Sequence, residues 1–206
     1  MPDRRRFLQT AAASALIGSA WPARALSVVT PMWSRTIPVS GEALPVIGLG
    51  TADTFNVSPT DKAAMAPLAQ VLDTLLQKGG KLIDTALLAR DGGLRARTFL
   101  ATKISTQGHE SAMRQLRQSQ QALGSDKLDL VQVHNLIDTV NQLALLRELK
   151  QQGVIRYVGI THYTDHAHDE LTELVEREKP DFLQINLSVA DRNAEKRLLP
   201  ACQTHG

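Results

Sequence analysis

Three side chains stand where an apolar run gives out. Asp84 follows Leu82-Ile83, Lys103 closes Phe99-Leu100-Ala101-Thr102, and His134 closes Leu130-Val131-Gln132-Val133. A carboxylate, an ammonium and an imidazole can hold and exchange protons with a bound molecule, provided that they meet. Taken singly, each has a plainer reading: a strand-end aspartate caps a turn, a lysine is solvated, and a histidine sits satisfied in a core. They converge if the three runs are parallel strands of a barrel, which gathers all its strand C-termini on one face.

The surrounding pattern supplies such strands. Runs rich in Val, Ile, Leu and Phe cover Val46 to Leu49, Lys81 to Thr85, Thr98 to Lys103, Leu128 to His134, Ile155 to Ile160 and Phe182 to Leu187. Amphipathic stretches fit between most of them. Ser58, Pro59 and Asp61 announce a first helix through Leu68, Val71, Leu72, Leu75 and Leu76 to Gly79 and Gly80. A second carries Met113, Leu116 and Leu123 up to Gly124, a third Val140, Leu143, Leu146 and Leu149 up to Gly153, and a fourth Leu171, Leu174 and Val175 before Pro180. Ahead of them, Ile37 to Val39 and Leu44 to Ile47 around Ser40-Gly41-Glu42 read as a hairpin.

Strands alternating with helices predict an α/β fold with parallel pairing. The strand starts at 98, 128, 155 and 182 are spaced by 30, 27 and 27 residues, a beat that suits a (β/α)8 TIM barrel. No Gly-x-Gly-x-x-Gly follows the first strand, which argues against a dinucleotide-binding open sheet. Two irregularities interrupt the beat. Lys81 to Thr98 spans only 17 residues, and the link Leu87 to Arg97 contains Gly92-Gly93, so a crossover helix is expected to be missing or stunted there. The chain also ends at Gly206 after a sixth strand and a short helix over Ala194 to Gln203, whereas a closed barrel has eight strands. An incomplete barrel of about six strands is the expectation.

The 206 residues are 43% hydrophobic and 21% charged, with a net charge of +2, an ordinary globular balance. Basic and acidic residues are interspersed, so apart from the N-terminal arginines nothing points to nucleic acid or a membrane surface. The single cysteine, Cys202, excludes an intramolecular disulfide and a cysteine-based zinc site. Arg4, Arg5 and Arg6, then Phe7 and Leu8, an apolar stretch from Ala11 to Ala20 and the small-x-small site Ala23-Arg24-Ala25 make residues 1–25 an export signal cleaved after Ala25. Residues 26–206 then form the partial barrel domain, with no stable membrane insertion after cleavage. The run Asp-Arg-Arg-Arg-Phe-Leu-Gln resembles twin-arginine signals, which implies the twin-arginine translocase as a partner and the periplasm as destination.

Six segments together resemble the aldo-keto reductases. They are Gly48-Leu49-Gly50-Thr51, Gly80 to Ala86, Phe99 to Lys103, Leu128 to Asn135, Gly153 to Ile160 and Phe182 to Asn186, in family order. The resemblance implies an eight-stranded β/α barrel and hydride transfer from a nicotinamide cofactor, usually NADPH, to a small-molecule carbonyl substrate, an aldehyde or ketone. It assigns Asp84, Lys103 and His134 to a catalytic tetrad whose fourth member is a tyrosine. In the family the tyrosine protonates the carbonyl oxygen, the lysine paired with the aspartate lowers its pKa, and the histidine orients the carbonyl. It also implies that Gln184 holds the nicotinamide carboxamide together with Thr161 and His162, which stand where the family commonly has a Ser-Asn pair, and that Gly50 and Thr51 lie under the ribose.

The tetrad tyrosine is missing. The family places it a few residues after the aspartate, in a Tyr-Gly pair, yet here Asp84-Thr85-Ala86 runs into Leu87-Leu88-Ala89-Arg90, and the chain's tyrosines are Tyr157 and Tyr163. The gap falls in the same short interval as the missing crossover, so one deletion accounts for both. Impaired chemistry and weakened NADPH binding are expected, with a non-catalytic barrel fragment or small-molecule-binding remnant as the alternative. His162 and His166, four apart, have the spacing of a metal-binding pair. Thr164 and Asp165 read instead as the start of the fourth helix, which leaves His162, His166 and His168 on an exposed first turn with no metal assigned.

Overall fold

The computed structural model describes residues 32–52, 55, 57–58, 60–85 and 95–205. The proposed signal and its cleavage site lie outside them, as do residues 86–94 of the short link. After that gap the chain makes a single 3₁₀ turn, Arg95–Arg97, and enters the next strand.

A two-stranded antiparallel hairpin, β1 (Ser34–Thr36) and β2 (Ala43–Pro45), precedes a six-stranded parallel sheet. The sheet runs in chain order through β3 (Gly48–Gly50), β4 (Leu82–Asp84), β5 (Phe99–Ile104), β6 (Leu128–His134), β7 (Ile155–Thr161) and β8 (Phe182–Gln184). The helices are α1 (Lys62–Gln77), α2 (His109–Leu123), α3 (Thr139–Gln151), α4 (His168–Glu178) and α5 (Leu198–His205). Sequential parallel order with outer helices curls the sheet into a half-barrel, the α/β architecture that the strand beat predicts.

Side-chain alternation divides the strands into two faces. Ile83, Leu100, Ile104, Val131, Val133, Val158 and Ile160 pack with Leu116, Leu143, Leu146 and Leu171 of the helices. The opposite set is concave and has two tiers. Its lower tier is apolar: Phe99, Ala101, Leu130 and Tyr157 cluster with Leu82 and Phe182, and Ile37 and Leu44 from the hairpin close the end. The Phe99 and Tyr157 rings stack at 5.6 Å, and Phe182 meets Tyr157 edge-on at 5.4 Å. A polar belt seals this floor. Asp129, 1% exposed, accepts from Arg95, Arg156 and the Leu100 N–H, and Arg156 also pairs with Glu42. The Tyr157 hydroxyl donates to Glu42 at 2.7 Å and lies 2.7 Å from Ser40 Oγ.

Several boundaries differ from the expectations. The hairpin's first strand is Ser34–Thr36, because the turn after Ile37 closes on Ile37 itself, with Ser40 and Gly41 donating to its carbonyl and Gly41 taking a positive φ of 73°. Asp61, not Ser58, caps α1: its Oδ1 accepts the Ala63 and Ala64 N–H groups at 3.1 Å, while the Ser58 hydroxyl bonds Thr60. Strand β8 stops at Gln184, three residues short of the apolar run. The helix expected over Ala194 to Gln203 breaks into a 3₁₀ turn at Asn193–Glu195 and α5. Among the described residues no helix is long and apolar enough to cross a membrane.

Gly159 of β7 faces the concave side under close neighbours. A Cβ there would stand 2.9 Å from Gln132 Cγ and 3.0 Å from the Phe182 carbonyl oxygen, which is backbone and yields little. Gly159→Ala is therefore expected to lower unfolding stability by roughly 1–3 kcal/mol. Gly50→Ala, whose Cβ meets nothing within 4 Å, leaves it unchanged. Parallel thermal denaturation of the two variants checks the contrast.

Candidate active site

The upper tier of the concave face is polar. Register explains why: Gly50 pairs with Asp84, Lys103 with Gln132, and His134 with Thr161, which pairs in turn with Gln184. All but Gln132, which lies two residues before His134, stand at or next to the C-terminal ends of their strands. An open cleft of about 600 Å³ is lined by Gly50, Thr51, Asp84, Lys103, His134, Thr161, His162 and Gln184. Every site residue named from the sequence is thus brought to one place.

Asp84 is the hub. Lys103 Nζ donates to both of its carboxylate oxygens at 2.5 Å, and Gln184 Nε2 donates to Oδ2 at 2.9 Å. Its backbone carbonyl accepts the Thr51 N–H at 3.1 Å and lies 3.3 Å from the Thr51 hydroxyl, which fixes the turn above β3. The Asp84 side chain is 11% exposed and that of Lys103 29%, so the pair sits at the cleft wall rather than in free solvent. Gln184 is not idle: Gln132 Nε2 donates to its Oε1 at 2.9 Å, which makes a chain from Gln132 through Gln184 to Asp84. Gln132 is buried, and its own Oε1 has no partner among the described residues. Sequence reasoning passed over it as one letter of an apolar strand; an amide inside a run of Leu and Val was the available signal.

His134 makes no side-chain hydrogen bond among the described residues. Burial, the most important cause, and then the charges of Lys103 and His162 lower its pKa below the usual histidine value, while Asp84 acts in the opposite sense. The shift favours the neutral imidazole. The turn that follows it is unusual, since Asn135, Leu136 and Asp138 all have positive φ of 53–56°. Asn135 N–H donates to the Thr161 carbonyl, and Asp138 accepts from the Gly108 N–H at 2.9 Å and from Gln142 Nε2 at 3.1 Å, so hydrogen bonds hold the turn. No sequence signal announces three left-handed residues there.

The three histidines after β7 part company. His162 lines the cleft, its ring parallel to that of Tyr163 at 5.4 Å, and His166 is exposed. His168, expected on an exposed first turn, is buried. The 3₁₀ turn Asp165–Ala167 rotates it inward, where Nε2 bonds Asn186 Oδ1 at 2.9 Å and Nδ1 lies 3.1 Å from Asn193 Nδ2. Among the described residues no group of three acidic, histidine or cysteine side chains could hold a metal. The two tyrosines divide as well: Tyr157 is fixed in the floor, its pKa raised by burial, and Tyr163 is exposed at the cleft mouth.

The fold has counterparts. The sequence profile of the Aldo/keto reductase family matches residues 46–206, and the chain belongs to that family. An aldo-keto reductase of Mycobacterium avium strain 104 is 29% identical over 178 residues, which cover 81% of this chain and 61% of that protein. One from Mycolicibacterium smegmatis is 31% identical over 156 residues, covering 66% of this chain and 51% of its own length. The crystal structure of an aldo-keto reductase from Klebsiella pneumoniae in complex with NADPH superposes with a TM-score of 0.65 at 27% identity, covering 84% of this chain and 66% of that one. The chain therefore spans 61% or less of these curated relatives.

The His134 environment yields a signed prediction. An NMR titration of its imidazole is expected to show a midpoint below that of an exposed histidine. Lys103→Met should raise it by removing a nearby positive charge, and Asp84→Asn should lower it further. Because the folded chain binds this proton less readily than the unfolded one, the His134 contribution to stability falls as pH drops through the ordinary histidine range.

Proposed function

We propose that the cleft belongs to an NADPH-dependent carbonyl-reducing site in which nicotinamide and carbonyl substrate meet above Asp84, Lys103 and His134, and that this chain lacks the acid needed for rapid turnover. The observation that carries the reading is the Lys103–Asp84 pair beside His134 in one cleft. Two Klebsiella pneumoniae relatives whose structures hold NADPH, or NADP with acetate, support the cofactor class. The residues present fit such a group. Gly50 leaves its side of the cleft open, since a Cβ there would meet nothing within 4 Å, and Gln132, behind Gln184, keeps a buried amide oxygen that has no partner among the described residues. Thr161, His162 and Gln184 would hold the carboxamide, with Gly50 and Thr51 beside the ribose.

The cofactor, when bound, supplies the hydride. This chain's side chains must then handle the negative charge that gathers on the carbonyl oxygen. His134, biased toward its neutral form and free of side-chain hydrogen bonds among the described residues, is placed to hydrogen-bond that oxygen and orient it. Lys103 is held by Asp84 as a fixed cation at the wall. What is wanting is a phenol between them and the oxygen. No tyrosine lies between Asp84 and Tyr157, and Tyr157 is committed to Glu42 at the opposite end of the sheet. Losing a positioned general acid costs about 10²- to 10⁴-fold in rate.

NADPH is accordingly expected to bind, as read by its fluorescence, while reduction of simple aldehydes stays below detection. Turnover that disappears in Tyr163→Phe would overturn the second half of this reading and make Tyr163 the proton donor. We propose also that residues 1–25 direct export by the twin-arginine route to the periplasm, on the strength of the arginine, apolar and cleavage segments in order. Arg4→Lys with Arg5→Lys is expected to hold the precursor in the cytoplasm; unaltered appearance of a chain beginning at Leu26 in the periplasm would refute it.

A further inference from the structure

A further cavity lies at the opposite end of the strands from the cleft. It holds about 650 Å³ and is walled by the starts of β4 and β5, the belt around Asp129, the hairpin and the last turn of α1. Among the described residues four cations line it, Lys81, Arg95, Arg97 and Arg156, against two carboxylates, Glu42 and Asp129. Two positive charges are left over.

The hydrogen bonds decide which two. One Asp129 oxygen is taken by Arg95 at 2.9 Å and the other by Arg156 at 2.8 Å. Glu42 Oε2 is taken by Arg156 and by the Tyr157 hydroxyl. The carbonyls in the last turn of α1 are answered as well, since Thr74, Leu75 and Leu76 accept the N–H groups of Lys78, Gly80 and Gly79. Lys81 and Arg97 remain. Both are exposed, and neither makes a hydrogen bond or ion pair among the described residues. Leu82 pairs with Phe99, so Lys81 and Arg97 stand at the entrances of adjacent parallel strands, which run about 5 Å apart. Two like charges held side by side raise the local potential, and an anion between them relieves it.

We propose that Lys81 and Arg97 form an anion site for a phosphate group, at the far end of the strands from Asp84, Lys103 and His134. A doubly charged phosphate matches the excess. The Arg97 guanidinium offers parallel N–H groups to its oxygens, and the Lys81 ammonium offers a compact charge from the neighbouring strand. Arg95 contributes field rather than bonds, because it is already committed to Ser125, Thr98 and Asp129. The phosphate has two sources, the free ion or a phosphorylated organic molecule. For the second, the half-buried Leu44 and Leu76 in the same wall give the organic portion an apolar surface.

The test is a titration of the full chain with sodium phosphate, at a pH above the second ionisation of phosphate and at ionic strength held constant with sodium chloride, read by ¹H–¹⁵N NMR. Saturable shifts are expected, largest around Lys81 and Arg97. Replacing both, Lys81→Met with Arg97→Met, is expected to weaken binding at least roughly tenfold, while Lys81→Arg with Arg97→Lys keeps it within about threefold because both charges stay. Arg117→Met, which removes an exposed cation of α2, leaves binding unchanged. Phenyl phosphate separates the sources. Tighter binding than inorganic phosphate, with added shifts at Leu44 and Leu76, identifies a phosphorylated organic molecule; equal or weaker binding identifies the free ion. Shifts that never saturate, saturation centred on His134 and Lys103 in the cleft, undiminished affinity in the double methionine variant, or an equal loss in the charge-retaining pair would each overturn the site.

Discussion

The bond from Gln184 to Asp84 joins strands that are not neighbours. Three strands, β5 to β7, lie between β4 and β8 in the sheet, and only a strongly curled sheet can bring the ends of its second and sixth strands within 2.9 Å of side-chain contact. The polar tier hangs on that closure. It supplies Asp84 with a second donor beside Lys103, lines up Gln132 behind Gln184, and makes the wall against which His134, Thr161 and His162 stand. The apolar tier below makes the curl favourable, because Phe99, Tyr157 and Phe182, from three different strands, can touch only around a concave surface.

The two ends of this surface do different work. At the floor, negative charge is cancelled within the protein: Asp129 is saturated by Arg95, Arg156 and a backbone N–H, and Glu42 by Arg156 and Tyr157. Such a network ties the hairpin to β6 and β7. At the mouth the pairing is partial, since His134 and one nitrogen of His162 keep hydrogen-bonding capacity unspent among the described residues. Stability and chemistry are separated along the strand axis, which is the usual division in β/α barrels.

The division also explains what could be read from the sequence. Asp84, Lys103 and His134 were legible because each interrupts an otherwise apolar strand at the same end, and a parallel sheet turns that shared position into a shared place. The parallel strands and most helices were legible from period and caps. Gln132 was not, because a single amide in the middle of a strand looks the same whether it faces helices or cleft until the register is known. The capping of α1 by Asp61 rather than Ser58 turned on which side chain a nearby hydroxyl would satisfy first. His168 went inward because a turn of 3₁₀ helix, not α-helix, precedes it and changes the angle at which it leaves the backbone. The left-handed residues after His134 have no glycine to announce them.

The amide of Gln184 has a thermodynamic consequence. Because its nitrogen already serves Asp84 and its oxygen already serves Gln132, a ligand that binds this carboxamide uses the second N–H or the second lone pair and meets an amide already held in one orientation. Such a ligand loses little entropy in orienting the amide, whereas one that turned the amide would break both existing bonds and leave Asp84 to Lys103 alone. A ligand that instead takes the open nitrogens of His134 and His162 and leaves the chain from Gln132 to Asp84 intact adds bonds outright. The cleft thus ranks its ligands less by how many polar groups they carry than by which of its own groups they leave undisturbed.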